Sequence, residues 1–243
     1  MTYDLYYWPG IPGRGEFARL VLEAAGAPYR EMAQLPEDLG GGVKAMTAFL
    51  EGGAGPRIAF APPFLVDGDI VVSQAAAIAA YLGEKLGPAP TGEADRQFAR
   101  SIALTTADAV AESHDVRHPV GLWLHYEDHA NEAKRRAEEF REARMPKFLG
   151  WYERLIAANP SGSGHLADDR LTYADLGLFQ LVEGLQYAFP RRMTALRRQY
   201  PSVLALADTV RMQDNIAAYL ESPRRQAFNE DGIFRHYPAL DAE

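Results

Sequence analysis

Cysteine is absent from this chain, and its absence excludes several kinds of chemistry. None of the 243 residues is a cysteine, and six are histidines. The chain therefore has no disulfide framework, no thiolate metal site and no cysteine nucleophile, and histidine and the carboxylates are its only strong metal ligands. If the protein carries out thiol chemistry, the sulfur has to belong to another molecule.

An excess of positive charge and a long apolar run are also lacking. The chain has 25 Lys and Arg against 33 Asp and Glu, a net charge of −8. Because nucleic acid is bound largely through its phosphates, this balance argues against a nucleic-acid partner. No apolar stretch reaches the roughly twenty residues that cross a bilayer, and no basic and apolar leader is visible. We therefore predict no membrane partner and a cytoplasmic location.

The first 86 residues follow the pattern of a small α/β unit. An alternating aromatic run at 3–8 predicts a strand, and apolar residues at three-and-four spacing predict a helix at 15–26. Two apolar runs around an Asp-Gly pair predict a hairpin at 63–72. A second helix is predicted at 74–86, where Gly and Pro follow.

Beyond a Pro- and Gly-containing linker at 87–92, the pattern becomes helical. Long helices are predicted at 94–114, 132–157, 173–189 and 203–220. Pro146 is expected to kink the second helix or to mark its restart, because proline removes a backbone donor. Thr172 and Asp175 predict a capping box at the start of the third. The predicted fold is an α/β thioredoxin-like domain followed by an all-α helical-bundle domain.

The order of these features resembles the soluble glutathione S-transferases of the tyrosine type. The matching segments are Tyr7-Trp8-Pro9, Gly13-Arg14-Gly15, Pro63-Phe64-Leu65 with Asp67-Gly68, the stretch 73–82 and the capped helix start at 171–178. The resemblance covers nearly the whole chain. It implies a glutathione-binding domain at 1–86 and a helical domain at 93–243 that contributes the pocket for an electrophile.

The resemblance makes Tyr7 the catalytic candidate. In tyrosine-type members a hydroxyl at the end of the first strand donates a hydrogen bond to the glutathione sulfur and favours the thiolate over the thiol. Tyr7 directly precedes the aromatic-proline pair, whereas Tyr6 points to the opposite face of the strand. The alternative is that the aromatic residues of this strand only fill the core.

Two departures from the family pattern fall among the residues that the resemblance assigns to glutathione. Pro63 matches the family's cis-proline, and the preceding residue, which pairs with the peptide backbone of the ligand, is Pro62. A proline keeps its carbonyl acceptor but has no amide donor. Gln74 and the backbone amide of Ala75 are implied to hold the γ-glutamyl end at a helix N-terminus. Ala75 stands where the family has a hydroxyl residue.

Cationic side chains complete the implied binding set. Arg14, at the start of the first helix, is expected either to orient the tripeptide or to fix a domain interface. Lys44 is predicted to meet the glycyl carboxylate, with Arg57 as the other available cation. The alternative for all three is a solvated surface charge.

Histidine spacing raises the question of a metal site. His114 and His118, and again His125 and His129, are four residues apart, which puts each pair on one helix face. Neither pair has the HExxH arrangement, and two ligands do not make a site. We therefore predict no metal site. The alternative is that these histidines line the electrophile pocket together with Trp123 or Tyr126.

The resemblance thus implies a detoxifying transferase with glutathione as co-substrate and a small hydrophobic electrophile as the second substrate. A homodimer is what the resemblance implies. One alternative is a binding or scaffolding protein that keeps the fold without the reaction. Another is a glutathione-dependent isomerase or peroxidase.

Overall fold

The computed structural model describes residues 2–53, 55–121, 124 and 126–242. Two compact units make up the chain. The first consists of Met1–Ala89 and Gln213–Ala227, and the second of Pro90–Met212 and Phe228–Glu243. The sequence pattern put everything after residue 93 in one helical domain, whereas the segment Gln213–Ala227 belongs to the first unit.

The first unit is built on a four-stranded mixed sheet. Its elements up to residue 86 are β1 (Tyr3–Tyr6), α1 (Glu16–Ala24), β2 (Tyr29–Glu31), α2 (Gly42–Leu50), β3 (Phe64–Asp67), β4 (Ile70–Ser73) and α3 (Ala75–Leu86), with 3-10 turns at Met32–Gln34 and Glu37–Leu39. The strand order is β2-β1-β3-β4. β1 runs parallel to β2 and antiparallel to β3.

Side chains of β1 alternate between the two faces of the sheet. Tyr3, Leu5 and Tyr7 are buried on one face, where α1 and α3 pack against each other. On the other face Tyr6 stacks on Phe64 with ring centroids 4.4 Å apart. The alternation predicted from the sequence is therefore present, and it separates Tyr7 from Tyr6.

The second unit is helical. It contains α4 (Glu93–Asp115), α5 (Ala130–Glu139), α6 (Met145–Ala158), α7 (Tyr173–Ala188), α8 (Pro190–Leu196) and α9 (Pro201–Arg211), with 3-10 turns at Tyr126–His129 and Pro238–Leu240. α7 is apolar on nearly all sides and packs against α4, α8 and α9. The predicted fold class, an α/β thioredoxin-like unit and an all-helical one, is confirmed.

Two local features of the helical unit follow the sequence signals. A π-helical segment, Phe140–Arg144, joins α5 to α6, and Pro146 lies in the first turn of α6. The wider turn accommodates a residue that cannot donate to the preceding carbonyls. At the start of α7, Thr172 and Asp175 form the predicted capping box.

The predicted helix 203–220 is two helices. α9 ends at Arg211, and α10 (Asp214–Leu220) returns to the first unit and packs against α1. Among the described residues, no helix is both long and apolar enough to cross a membrane.

Candidate functional site

Strand register brings most of the predicted site residues to one end of the sheet. Tyr6, the last residue of β1, pairs with Phe64 of β3, and Phe64 pairs with Ser73 of β4. One step beyond this row the chain reaches Tyr7, Pro63 and Gln74. Residues that are far apart in the sequence are therefore neighbours at this end of the sheet.

The loop before α1 covers Tyr7. The backbone N–H of Arg14 donates a hydrogen bond to the Tyr7 hydroxyl oxygen at 2.8 Å, and Tyr7 is 4% exposed. Gly13 has φ +45°, which favours glycine, and a Cβ on Gly15 would come within 2.6 Å of the Tyr7 ring. Both glycines are needed for the backbone to approach the phenol this closely.

The surroundings of Tyr7 act on its pKa in opposite directions. Burial raises the pKa of Tyr7 above its ordinary value, and the hydrogen bond from the Arg14 amide together with the positive charges of Arg14 and Arg19 works against that rise. The phenol therefore stays protonated near neutral pH. Because the Arg14 amide occupies one lone pair of the oxygen, the hydroxyl proton is directed elsewhere.

The other residues at this end of the sheet have unusual backbone geometry. The peptide bond between Pro62 and Pro63 is cis, as the sequence resemblance implied. Gln74 has φ 74° and ψ 124°, a left-handed conformation that is costly for a residue with a side chain. Ala75 begins α3, and among the described residues no side chain caps this helix N-terminus. The first amides of α3 are thus available to a ligand.

The predicted cations have different surroundings. The backbone of Arg14, rather than its guanidinium, contacts Tyr7. Arg57 donates to the carbonyl of Asp69 at 2.8 Å. Lys44 lies exposed in the first turn of α2, and no described residue forms a hydrogen bond or ion pair with its ammonium group. The structure thus does not bring Lys44 into contact with the other predicted residues.

A buried arginine next to Tyr7 was not identified from the sequence. The Arg19 guanidinium lies 5.7 Å from the centroid of the Tyr7 ring, and the side chain is fully buried in α1. The available signal was the position of Glu16 and Arg19 within a helix whose other residues, apart from Glu23, are apolar. Charged residues in such a place need partners within the protein.

Histidines of the second unit do not assemble a metal site in the described part of the chain. The rings of His114 and His118 stack with centroids 4.8 Å apart, and the Nε2 atom of His129 lies 3.0 Å from the Arg117 carbonyl oxygen. No group of three or more metal-ligating residues is found among the described residues. His125 and Trp123 lie outside the described residues.

In the described part of the chain, three of the surface cavities have volumes of about 380 to 500 Å³. Two are in the second unit beside α8, and one lies between α10 and the segment that follows α1. None of the three is lined by Tyr7, Pro62, Gln74 or Ala75. The candidate site is therefore identified by its hydrogen bonds and backbone geometry rather than by concavity.

Sequence comparisons relate the chain to known proteins. Residues 114–223 match the family model described as "Glutathione S-transferase, C-terminal domain". The chain is 25% identical to glutathione S-transferase P 1 of Xenopus laevis over 92% of this chain and 93% of that protein. It is 27% identical to probable glutathione S-transferase 7 of Caenorhabditis elegans, over 90% and 96% of the two chains.

Solved structures share the fold over nearly their full length. A monomeric glutathione S-transferase of Necator americanus, Na-GST-3, has a TM-score of 0.68 at 24% identity, with 94% of this chain and all of that chain covered. Prostaglandin synthase D of Nilaparvata lugens has a TM-score of 0.68 at 22% identity, over 92% and 98% of the two chains. Together these findings show that the chain is similar to glutathione S-transferases along nearly its whole length and shares their fold.

Proposed function

We propose that this chain is a glutathione transferase in which Tyr7 stabilises the glutathione thiolate for attack on a small hydrophobic electrophile. The observation that carries the proposal is the hydrogen bond from the Arg14 amide to the Tyr7 oxygen. With that lone pair occupied, the hydroxyl proton is the group that Tyr7 offers to a sulfur atom. A donated hydrogen bond favours the charged form of the thiol.

Glutathione binding is assigned to residues 1–86. The uncapped N-terminus of α3 supports a role for Gln74 and the Ala75 amide in holding the γ-glutamyl carboxylate, since free amides and the helix dipole attract anions. The left-handed backbone of Gln74 is the kind of strain found at ligand sites. Pro62 and Pro63 would line the ligand backbone. Arg14 and Lys44 stay in the proposed binding set as cations.

The remaining assignments rest on the family resemblance. The helical unit, Pro90–Met212 and Phe228–Glu243, is proposed to supply the electrophile pocket, and no metal is proposed to take part. We infer a homodimer and a cytoplasmic location. Exposed apolar side chains are available for self-association in both units, for example Phe60, which is 92% exposed, and Leu104, which is 61% exposed.

A second candidate function is favoured by Pro62 and Ala75. Each lacks a hydrogen-bond donor that the family places at that position, and each absence weakens glutathione binding. A binding or scaffolding protein that keeps the fold without turnover would tolerate both changes. Calorimetric titration with glutathione separates the two functions, because the scaffold predicts no heat at millimolar ligand.

The role of Tyr7 is tested by replacing its hydroxyl. We expect Tyr7→Phe to lower kcat/KM with a generic electrophile by about ten- to a hundredfold, since a hydrogen bond to a charged group contributes about 1.5–3 kcal/mol. Tyr6→Phe removes the neighbouring hydroxyl from the opposite face and serves as the matched control. Equal rates for Tyr7→Phe and the unmodified protein would overturn the proposed role.

A further inference from the structure

Arg19 connects three parts of the first unit. Its Nη1 atom donates to the Pro12 carbonyl at 3.0 Å and pairs with Glu16 at 3.1 Å. Its Nε and Nη2 atoms both bind the carboxylate of Glu31 at the end of β2. Arg19 and Glu16 are fully buried, so their charges are balanced by each other and by these partners.

The Pro12 carbonyl belongs to the loop that covers Tyr7. It accepts a second hydrogen bond from the Glu16 amide at 3.0 Å, which starts α1. Two residues after Pro12, the Arg14 amide donates to the Tyr7 oxygen. The residues on either side of Arg14 are glycines, so no side chain there fixes the loop by packing. The hydrogen bond from Arg19 to the Pro12 carbonyl therefore determines where the Arg14 amide lies.

The C-terminal segment of the first unit closes this network. Tyr219 of α10, fully buried, donates to Glu16 at 2.8 Å, and Arg225 forms an ion pair with the same carboxylate. The network therefore contains two carboxylates and two guanidinium groups. Residues about two hundred positions apart in the sequence meet at Glu16.

We propose that Arg19 is a positioning residue for Tyr7. It fixes the Pro12 carbonyl and thereby the Arg14 amide on the Tyr7 oxygen, while Tyr219 and Arg225 hold its partner Glu16 in place. The function of this arrangement in thiol activation rests on the proposed transferase activity, whereas the positioning itself does not.

Hydrogen exchange of the Arg14 amide tests the positioning without any ligand. In Arg19→Lys, one ammonium nitrogen cannot take the separate positions of Nε, Nη1 and Nη2, so part of the contacts to Pro12, Glu16 and Glu31 is lost. We therefore expect the Arg14 amide to exchange about tenfold faster. Tyr219→Phe, which removes one oxygen and keeps the shape, should act in the same direction with a smaller change. Should Arg19→Lys fail to fold, Tyr219→Phe still decides the outcome.

Tyr29→Phe is the matched control. The Tyr29 hydroxyl donates to Glu23 at 2.8 Å in the same unit, and this hydrogen bond is not one of those that connect Arg19 to Tyr7. It should leave the exchange of the Arg14 amide unchanged. Unaltered exchange in both Arg19→Lys and Tyr219→Phe, or an equal increase in Tyr29→Phe, would overturn the inference.

The pH profile of turnover gives a second readout that loss of stability alone does not move. The hydrogen bond from the Arg14 amide lowers the pKa of Tyr7 against the effect of burial, so loosening that bond makes the phenol a weaker donor. We expect the thiol pKa seen in kcat/KM to rise in Arg19→Lys and Tyr219→Phe, and not in Tyr29→Phe.

Faster Arg14 exchange with no turnover in the unmodified protein would contradict the transferase while supporting the positioning. Turnover that needs Tyr7, with neither readout changed in the variants, would support the transferase and contradict the positioning.

Discussion

Tyr7 and Tyr6 carry the same side chain, and the sheet gives them different surroundings. Tyr6 stacks on Phe64 and lies tilted against Phe49, whereas Tyr7 lies under the loop before α1 with its hydroxyl oxygen bound to the Arg14 amide. The alternation of a strand is enough to predict their opposite faces. The hydrogen bond could not be predicted, because it depends on the path of a loop with two glycines.

Arg19 illustrates the same limit at the residue scale. Its position in an apolar helix indicates that it needs buried partners, but the sequence does not say which. The partners are Glu16 in its own helix, Glu31 in β2 and a backbone carbonyl. Choosing among the 33 acidic residues of the chain requires the tertiary structure.

Ala75 offers a gain-of-function test at the glutathione site. Ala75→Ser adds a hydroxyl at the N-terminus of α3, and one added hydrogen bond contributes about 0.5–1.5 kcal/mol. We therefore expect calorimetry to give a glutathione Kd about two- to tenfold lower. Ala77→Ser, on the exposed side of the same helix, is the control and should leave Kd unchanged. A weaker or unaltered Kd in Ala75→Ser would remove Ala75 from the proposed binding set.

At the scale of elements, helices with strong periodicity were predicted within a few residues. The helix predicted at 94–114 is α4, Glu93–Asp115, and that at 173–189 is α7, Tyr173–Ala188. α8 was missed although Pro190 signalled it. Phe189 is non-helical, as residues before proline tend to be, and Pro190 begins a new helix.

The break between α9 and α10 had no comparable signal. Neither proline nor glycine lies between Arg211 and Asp214, and Gln213 is extended. The Asn215 side chain donates to the Ala24 carbonyl at the end of α1 at 3.2 Å. Packing against α1 therefore sets the direction of α10, and local sequence does not encode it.

The capping box of α7 gives a prediction at this scale. The buried Asp175 carboxylate accepts hydrogen bonds from the amides of Leu166 and Thr172 and from the Thr172 hydroxyl. We expect Asp175→Ala to lower the free energy of unfolding by about 1–3 kcal/mol in chemical denaturation, because these donors lose their partner. Asp169→Ala, on the exposed loop, should change it by less than about 0.5 kcal/mol.

A second observable identifies the cause of that loss. Asp175 raises the pKa of the nearby His165 above its ordinary value. In Asp175→Ala the pKa of His165, followed by NMR, should fall. An unaltered His165 titration together with unaltered stability would show that the carboxylate does not hold the start of α7.

At the scale of the whole molecule, the order of weak motifs predicted the fold class and the similarity to glutathione S-transferases. Each motif alone is common, yet the order of the motifs along the chain matches one architecture. The assignment of Gln213–Ala227 to the first unit could not be predicted, because it depends on contacts such as Arg224 with Glu23 and Tyr219 with Glu16 across some two hundred residues.

The central claim, that Tyr7 stabilises a thiolate, is tested most directly by titrating the ultraviolet absorbance of protein-bound glutathione thiolate against pH. The account predicts that the unmodified protein lowers the thiol pKa below that of free glutathione. In Tyr7→Phe this pKa should rise by about 1–2 units, the equivalent of one hydrogen bond to a charged group. An identical thiol pKa in both proteins, with calorimetry showing glutathione bound to each, would contradict the claim.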